Sequence, residues 1–390
     1  MARLKPAGRL AKEPSGWAGA HPPRSRNGYE SRPPALLEAL VQGPTWILAR
    51  AEPGLGRLTE AISFAQVLAR SGAGRPALVY TSPAALPLAE RWLHQRVRPL
   101  TLGAGRDPQQ TLIDSTSVQQ LLLAVRRGRP SALVVDGYPL LLPLLRSVAS
   151  AKVVAMANLH DLRSPAHSPG ARLLQETLHA NSDLIVVSEL RRSWRRGRLG
   201  KVPMLRIPSL IREDVAGRRP GPGGAGRGVV AVLGGGSRGD QRLEASNAAI
   251  LQALEVAVER GDLPSCLVFT GGDDQLMGRF PRLGFAGDPA ECLPTLAGAE
   301  LVITRAGRST LAEVLVAGRR AVAVIPESDT LRGAEQAANA ANAARVSPAV
   351  VPLPLAELDR LPGACAAALA ATPARWHPGN RVLLRALSTI

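Results

Sequence analysis

An α/β protein built as two parallel-sheet domains facing a cleft is predicted by three features of the sequence. Short apolar runs alternate with stretches of helical periodicity, the pattern of successive βαβ units. A segment almost without side chains, Pro220-Gly-Pro-Gly-Gly-Ala-Gly-Arg-Gly228, divides the chain where no core can form. The length of 390 residues exceeds one typical domain, and two domains of about 150–180 residues are each large enough to bury a core.

In order along the chain, residues 1–43 hold Pro6, Pro14, Pro22, Pro23, Pro33 and Pro34 among Arg, Gly and Ser, the composition of a disordered arm. The first domain, 44–219, opens with a strand at 46–49, a turn at Gly54-Leu-Gly56, and a helix with Leu58, Ala61, Ile62, Ala65, Leu68 and Ala69 at helical spacing. Further strands are expected at 77–80, 132–135, 153–156 and 184–187. After the linker 220–228, the second domain, 229–375, carries strands at 229–233, 266–270, 301–304 and 321–325. Residues 376–390 close the chain with a helix near Asn380. No repeat of 20–50 residues is present.

The run 301–339 is the most informative. Leu-Val-Ile-Thr at 301–304 reads as a buried strand, Arg305-Ala-Gly-Arg-Ser309 as a tight loop, and Thr310 onward as a helix ended by Gly318. A second strand is stopped by Pro326. The next helix carries Glu335, Gln336 and Asn339, the last two sharing one face. Polar residues thus gather at the strand ends, the edge where open α/β sheets bind ligands.

This order, Arg-Ala-Gly-x-Ser-Thr-x-x-Glu and then Gln-x-x-Asn, resembles the donor half of GT-B glycosyltransferases. The nearest resemblance is to the bacterial N-acetylglucosaminyltransferases that make the lipid-linked cell-wall disaccharide. The resemblance implies two Rossmann-like domains, a final helix crossing back onto the first, and a UDP-sugar donor held by Arg305, Gly307, Ser309, Thr310, Glu313, Gln336 and Asn339. Glu313 would accept hydrogen bonds from ribose hydroxyls, with Gln336 and Asn339 facing the sugar. Glu335 stands where the family usually has His. Thr310 and Glu313 also match a capping box, a purely structural role. Phe285 falls where relatives read uracil with the backbone, and a core Phe is an equal reading. Arg212 matches an Arg that reaches the phosphates.

Gly234-Gly-Gly-Ser237-Arg238-Gly239 follows a predicted strand and leads to a helix. Gly236 lets backbone N–H groups approach a diphosphate, while Ser237 adds a hydrogen bond and Arg238 a counter-charge. Gly234, Gly236 and Gly239 also satisfy the dinucleotide fingerprint. Its acid about 20 residues on is missing from a strand end, since Glu255 and Glu259 lie in the helical stretch and Asp273 and Asp274 come later. A plain strand-to-helix turn is the third reading.

In the first domain relatives carry a Gly-rich loop ending in His, where this chain has Gly54-Leu-Gly56-Arg57. Arg57 keeps its proton and is no general base, but it suits an anionic acceptor or the leaving diphosphate. Candidate bases are Glu52, Asp136, His160 and Asp161.

The resemblance implies an inverting transferase moving N-acetylglucosamine or a related hexose to a hydroxyl acceptor, lipid-linked or a small metabolite, in cell-envelope or antibiotic biosynthesis. A nucleotide-sugar hydrolase and a non-catalytic partner subunit of the same fold are the alternatives. No cofactor is expected. No metal is expected either, since Asp273-Asp274 is adjacent rather than spaced and Arg residues suffice to neutralise a diphosphate.

Composition narrows the partners. The net charge is +17, yet only four of 48 basic residues are Lys, a bias that fits GC-rich coding in an actinobacterial source. The readings are a solvated basic surface or attraction to an anionic membrane. With no zinc-knuckle spacing or aromatic-rich strand, nucleic acid is not an expected partner. Three scattered cysteines suggest a reducing cytoplasm. No signal-peptide pattern or run of 18 apolar residues occurs, so a cytoplasmic protein, soluble or membrane-associated, is expected. Tyr138-Pro-Leu-Leu-Leu-Pro-Leu-Leu145 reads as an exposed anchor or as a core helix.

Overall fold

Two separate parallel sheets organise the computed structural model, which describes residues 35–49, 56–71, 78–81, 89–91, 98–101, 115–137, 139–158, 162, 169–213, 227–234, 241–270, 278–286, 291–327 and 331–389. Pro34–Ile390 is one compact unit. The first half runs α1 (Ala35–Gln42), β1 (Thr45–Ala49), α2 (Gly56–Arg70), β2 (Leu78–Thr81), β3 (Arg98–Thr101), α3 (Ser115–Gly128), β4 (Ala132–Asp136), α4 (Leu142–Val148), β5 (Lys152–Ala157), α5 (Pro169–Asn181), β6 (Leu184–Glu189), β7 (Arg195–Leu199) and β8 (Val202–Pro208). The second runs β9 (Arg227–Val232), α6 (Gln241–Glu259), β10 (Cys266–Phe269), β11 (Gly284–Phe285), α7 (Cys292–Gly298), β12 (Ala299–Thr304), α8 (Arg308–Val316), β13 (Arg320–Ile325), α9 (Leu331–Val346), β14 (Val350–Pro354), α10 (Leu361–Ala370) and α11 (Asn380–Leu387).

The first sheet has the order β3-β2-β1-β4-β5-β6-β8-β7, and the second β11-β10-β9-β12-β13-β14. Among the described strands only β7 is antiparallel to its neighbour. Each sheet therefore contains the 3-2-1-4-5-6 order of a dinucleotide-binding fold, with a strand-order reversal between its first and fourth strands. In the first sheet the reversal lies between β1 and β4, which end in register at Ala49 and Asp136. In the second it lies between β9 and β12, where Val232 pairs Thr304.

Both faces of both sheets are covered, so strand side chains are buried on alternate sides. Ile47, Val134 and Val186 pack under α1, α2 and α11, while Leu48, Leu133 and Ile185 pack under α3, α4 and α5. In the second sheet Val230, Val302 and Ala321 lie under α7, α8 and α9, and Ala231, Ile303 and Val322 under α6 and α10. Continuous apolar strands follow from this double burial.

All the strands expected from sequence form, with ends shifted by a residue or two. β3, β8 and β14 carry prolines, β7 is an Arg-rich edge and β11 has two residues, so none shows an apolar run. The expected arm does not extend to residue 43: Ala35–Gln42 is helical and buries Leu36 and Leu40 in the first core. Residues 1–34 lie outside the described residues. Arg227 and Gly228, read as linker, belong to β9. The 138–145 stretch is split, with Leu141, Leu142 and Leu145 buried and Leu140 and Leu144 exposed.

The last segment ties the second half to the first. The Trp376 indole donates to the Arg191 carbonyl at 2.6 Å, and Asn380 exchanges two hydrogen bonds with the Ile211 backbone. α11 then buries Leu383, Ala386 and Leu387 in the first core. At Gly379 the approach is close: a Cβ there would meet the Pro208 carbonyl oxygen at 2.1 Å, whereas one at Gly363 in α10 meets nothing within 4 Å. Gly379→Ala should lower stability by about 1–3 kcal/mol through overpacking. Gly363→Ala should raise it by about 0.5–1 kcal/mol, because Ala loses less entropy in a helix. Thermal melts of the two variants check this opposite pair of signs.

Candidate functional site

The ends of β1 and β4 open the first half of the site. Asp136 closes β4, is 1% exposed, and accepts a 2.6 Å hydrogen bond from Arg57 Nη1 at the start of α2. Arg57 keeps a third of its side chain in water. Burial strips water from the Asp136 carboxylate and pushes its pKa up to about 6; Arg57 opposes the rise, the buried Glu60 adds to it, and Arg308 opposes it weakly. Among the described residues, Asp136 Oδ2 and Glu60 Oε1 have no hydrogen-bond partner.

The second half is built where β9 and β12 end. Gly234 turns the chain at φ 77°, and a Cβ there would stand 3.3 Å from Nη2 of the buried Arg305. The Arg305 guanidinium therefore lies against the opening of the glycine loop. Ala306 holds a left-handed φ of 57°, a strain on the order of 1 kcal/mol for a residue with a Cβ. Asn339 Nδ2 donates to its carbonyl at 3.3 Å from α9, which supports that conformation.

α8 begins two residues before the expected start, with Gly307 as its N-cap and no side-chain cap bond. That placement overturns the capping-box reading: Thr310 is the third helical residue and Glu313 the sixth, a full turn too late to cap. Glu313 instead sits near Cys292, whose thiol burial pushes up to about 12, with Glu313 adding to the rise and the buried Arg212 opposing it. The charges of Glu313 on α8 and of Arg212 after β8 are thus both felt at Cys292. Gln336 Oε1, one turn before Asn339, is buried without a hydrogen-bond partner among the described residues. Phe285 pairs with Val268 at the sheet edge, and its partly buried ring packs against the α6 and α10 core.

The two halves touch. Ser309 Oγ, expected at the donor, donates to the Gly56 carbonyl at 3.2 Å. Arg308 reaches over to form an ion pair with Glu60 and donates to the Ser188 carbonyl at 2.7 Å. Sequence reasoning missed Glu60 and Arg308. The spacing of Glu60 three residues after Arg57 puts both on one face of α2, a signal visible in the helical pattern. Nothing local marks Arg308 as a cross-sheet residue.

Glu52, His160, Asp161, Gly236, Ser237, Arg238, Asp273 and Asp274 lie outside the described residues. Among those described, no group of three or more His, Cys, Asp or Glu side chains is placed to hold a metal ion.

Because the Asp136 pKa is raised on folding, the folded chain binds that proton more tightly than the unfolded chain. The contribution of this residue to stability therefore falls as pH rises between about 4 and 6 and is flat above. Wild type should lose about 2 kcal/mol relative to Asp136→Asn between about pH 4.5 and about pH 7.5. Urea unfolding at the two pH values measures this, and parallel profiles would mean that Asp136 is solvated.

Residues 229–353 match the glycosyltransferase family 28 C-terminal domain. No curated protein matches the sequence. Solved structures share the architecture. UDP-GlcNAc 2-epimerase from Methanocaldococcus jannaschii aligns with TM-score 0.55 at 10% identity, over 89% of this chain and 100% of that one. UGT89C1 of Arabidopsis thaliana, complexed with UDP-L-rhamnose, aligns with TM-score 0.55 at 15% identity, over 89% and 94%. MurG of Acinetobacter baumannii aligns with TM-score 0.50 at 14% identity, over 89% and 100%. With both sheets, both switch points and these likenesses in hand, the chain is a GT-B protein resembling the UDP-sugar glycosyltransferases, its second domain similar to the C-terminal domain of family 28.

Proposed function

We propose that this protein is an inverting, metal-independent hexosyltransferase that moves a sugar from a UDP-sugar to a hydroxyl acceptor. The observation that carries the reading is the meeting of the two switch points: Arg305 and the glycine turn on one sheet, Asp136 and Arg57 on the other, joined through α2 and α8. The donor diphosphate would lie at the Gly234 turn, with Arg305 and Arg212 neutralising charge as UDP leaves. Glu313 would receive the ribose hydroxyls, and Gln336 and Asn339 would border the sugar. N-acetylglucosamine or a related hexose suits these amides.

Asp136 is the described residue suited to deprotonate the acceptor. Burial raises its pKa to about 6, near the value a base needs at neutral pH, while Arg57 holds the carboxylate in place. The acceptor oxygen then attacks the anomeric carbon as the bond to the diphosphate breaks, a single displacement that inverts the centre. Activity requires ionised Asp136 and should rise with pH through about 6. The raised Asp136 and its bound Arg57 favour a neutral acceptor over the anionic one expected from Arg57 alone.

The acceptor side also suits a membrane substrate. The exposed large apolar side chains among the described residues, Leu123, Leu140, Leu144 and Leu173, all lie on the layer formed by α3, α4, α5 and the turn before α4. Arg126, Arg127 and Arg129 line a shallow groove beside Leu123. Leucines flanked by arginines fit the headgroup boundary of an anionic bilayer, and no helix among the described residues is long and apolar enough to cross it. A lipid-linked acceptor in envelope synthesis accords with this face; a diffusible one in antibiotic synthesis does not need it.

The fold shared with UDP-GlcNAc 2-epimerase favours a second reading, isomerisation of the donor itself. Product analysis separates these readings: transfer yields UDP and a glycoside, hydrolysis yields free sugar, and epimerisation returns a UDP-sugar. Calorimetry with UDP and UDP-N-acetylglucosamine should show binding weakened by about 1.5–3 kcal/mol in Glu313→Ala, the loss of hydrogen bonds to a carboxylate. Asp136→Asn should keep UDP affinity and slow turnover by about 10²- to 10⁴-fold. Silence toward both uridine ligands would end the transferase reading. Sedimentation with anionic vesicles should be lost on replacing Leu140 and Leu173 with Ser, and equal pelleting would remove the membrane face.

A further inference from the structure

Arg308 stands apart from the donor residues around it. It opens α8, two residues before Thr310 and five before Glu313, yet its guanidinium points away from the second sheet. One nitrogen pairs with Glu60 of α2, and the other donates to the Ser188 carbonyl of β6, both on the first sheet's side. The side chain is only 13% exposed and that of Glu60 5%. Ser309 adds the hydrogen bond to Gly56, where a Cβ would already stand 3.0 Å from the Ser309 oxygen. Two consecutive residues thus make three polar contacts across the cleft.

We propose that Arg308 is a positioning residue that locks the donor helix α8 against the acceptor-side helix α2, closing the cleft in register for transfer. The argument runs from charge and rigidity. Arg57 and Arg308 balance Asp136 and Glu60, so the buried cluster is neutral only while Arg308 is seated. An ion pair buried this deeply contributes little net stability but defines one arrangement, because a misplaced partner leaves a buried charge unmatched. A helix is stiff, so fixing its first residue also fixes Thr310 and Glu313 further along the same rod. The guanidinium fork matters, since it serves a carboxylate and a carbonyl at once, which an ammonium does not do in the same geometry.

The role in turnover rests on the transferase reading, whereas closure does not. Small-angle scattering of the full chain without ligand, on wild type, Arg308→Met and Arg308→Lys, tests closure directly. Arg308→Met should enlarge the radius of gyration, and Arg308→Lys should fall between it and wild type, since Lys restores one of the two contacts. Hydrogen exchange should speed up at the starts of α2 and α8 in the same order. With UDP as the probe, affinity should stay within about twofold, because Arg305, Glu313, Gln336 and Asn339 all belong to the second domain and Arg308 bonds to Glu60 and Ser188 rather than to Arg212. Where transfer is measurable, kcat should fall with little change in the donor KM. Unchanged scattering and exchange in both variants would overturn the lock, whatever the turnover. Loss of UDP affinity equal in size to the kcat loss would also overturn it, making Arg308 a donor residue. Failure of every variant and of wild type to bind UDP would instead defeat the donor reading and leave the closure result standing. If Arg308→Met does not fold, Arg308→Lys and Glu60→Gln carry the test by the same readouts.

Discussion

A parallel sheet has to be covered on both faces, because each strand returns to the same edge through a crossover helix. In this chain that constraint is met twice, and it makes the strands on either side of each reversal apolar. Polar chemistry is thereby pushed to the ends of the strands. Where the strand order reverses, the two crossovers diverge and leave a crevice, so the ends of β1 and β4 and of β9 and β12 are the places at which polar groups can be both held and reached. Asp136, Gly234 and Arg305 occupy these ends.

What lies between the crevices is an electrostatic problem. Burying Asp136 and Glu60 without compensation would be costly, and Arg57 offsets part of that cost by pairing with Asp136. The second guanidinium comes from the other sheet. The cluster therefore couples the protonation of Asp136 to the placement of α8, since the charges of Glu60 and Arg308 are both felt at Asp136. Strain is stored next door, at Ala306, and is held by the Asn339 amide.

The large positive charge has a partly structural explanation. Residues 189–206 contain seven basic side chains and a single acid, Glu189. That acid is almost buried and binds Arg191 and Arg206 together, while burial lowers the Arg191 pKa. Four of the remaining five cations, Arg195, Arg196, Arg198 and Lys201, are exposed on the β7–β8 edge, where charge discourages another strand from pairing. Elsewhere arginines are fixed by backbone carbonyls, as Arg146 is by Asn181 and Ala151 and Arg192 by Val346.

Apolar runs and their spacing were sufficient for the α/β class and for the strands on either side of each reversal, while the resemblance rested on the local order of residues from Arg305 to Asn339. These are local properties: the run Leu301-Val-Ile-Thr304 is apolar whatever surrounds it, and Gln336 and Asn339 share a helix face by geometry alone. Strands that rely on their neighbours, such as proline-bearing β8 and β14 or the Arg-rich β7, left no such mark. The helix at Ala35–Gln42 is short, and its contacts with β1, β4 and α11 explain why it is ordered. Thr310 and Glu313 satisfy a capping pattern in sequence, but tertiary packing places the cap at Gly307 and releases Glu313 for another role. The pairing of Arg308 with Glu60 spans 248 residues, and the seating of α11 on the first core depends on a chain that crosses between sheets. Periodicity carries information over a few turns, whereas the meeting of two helices across a cleft depends on how two complete sheets pack, and only the tertiary structure decides that.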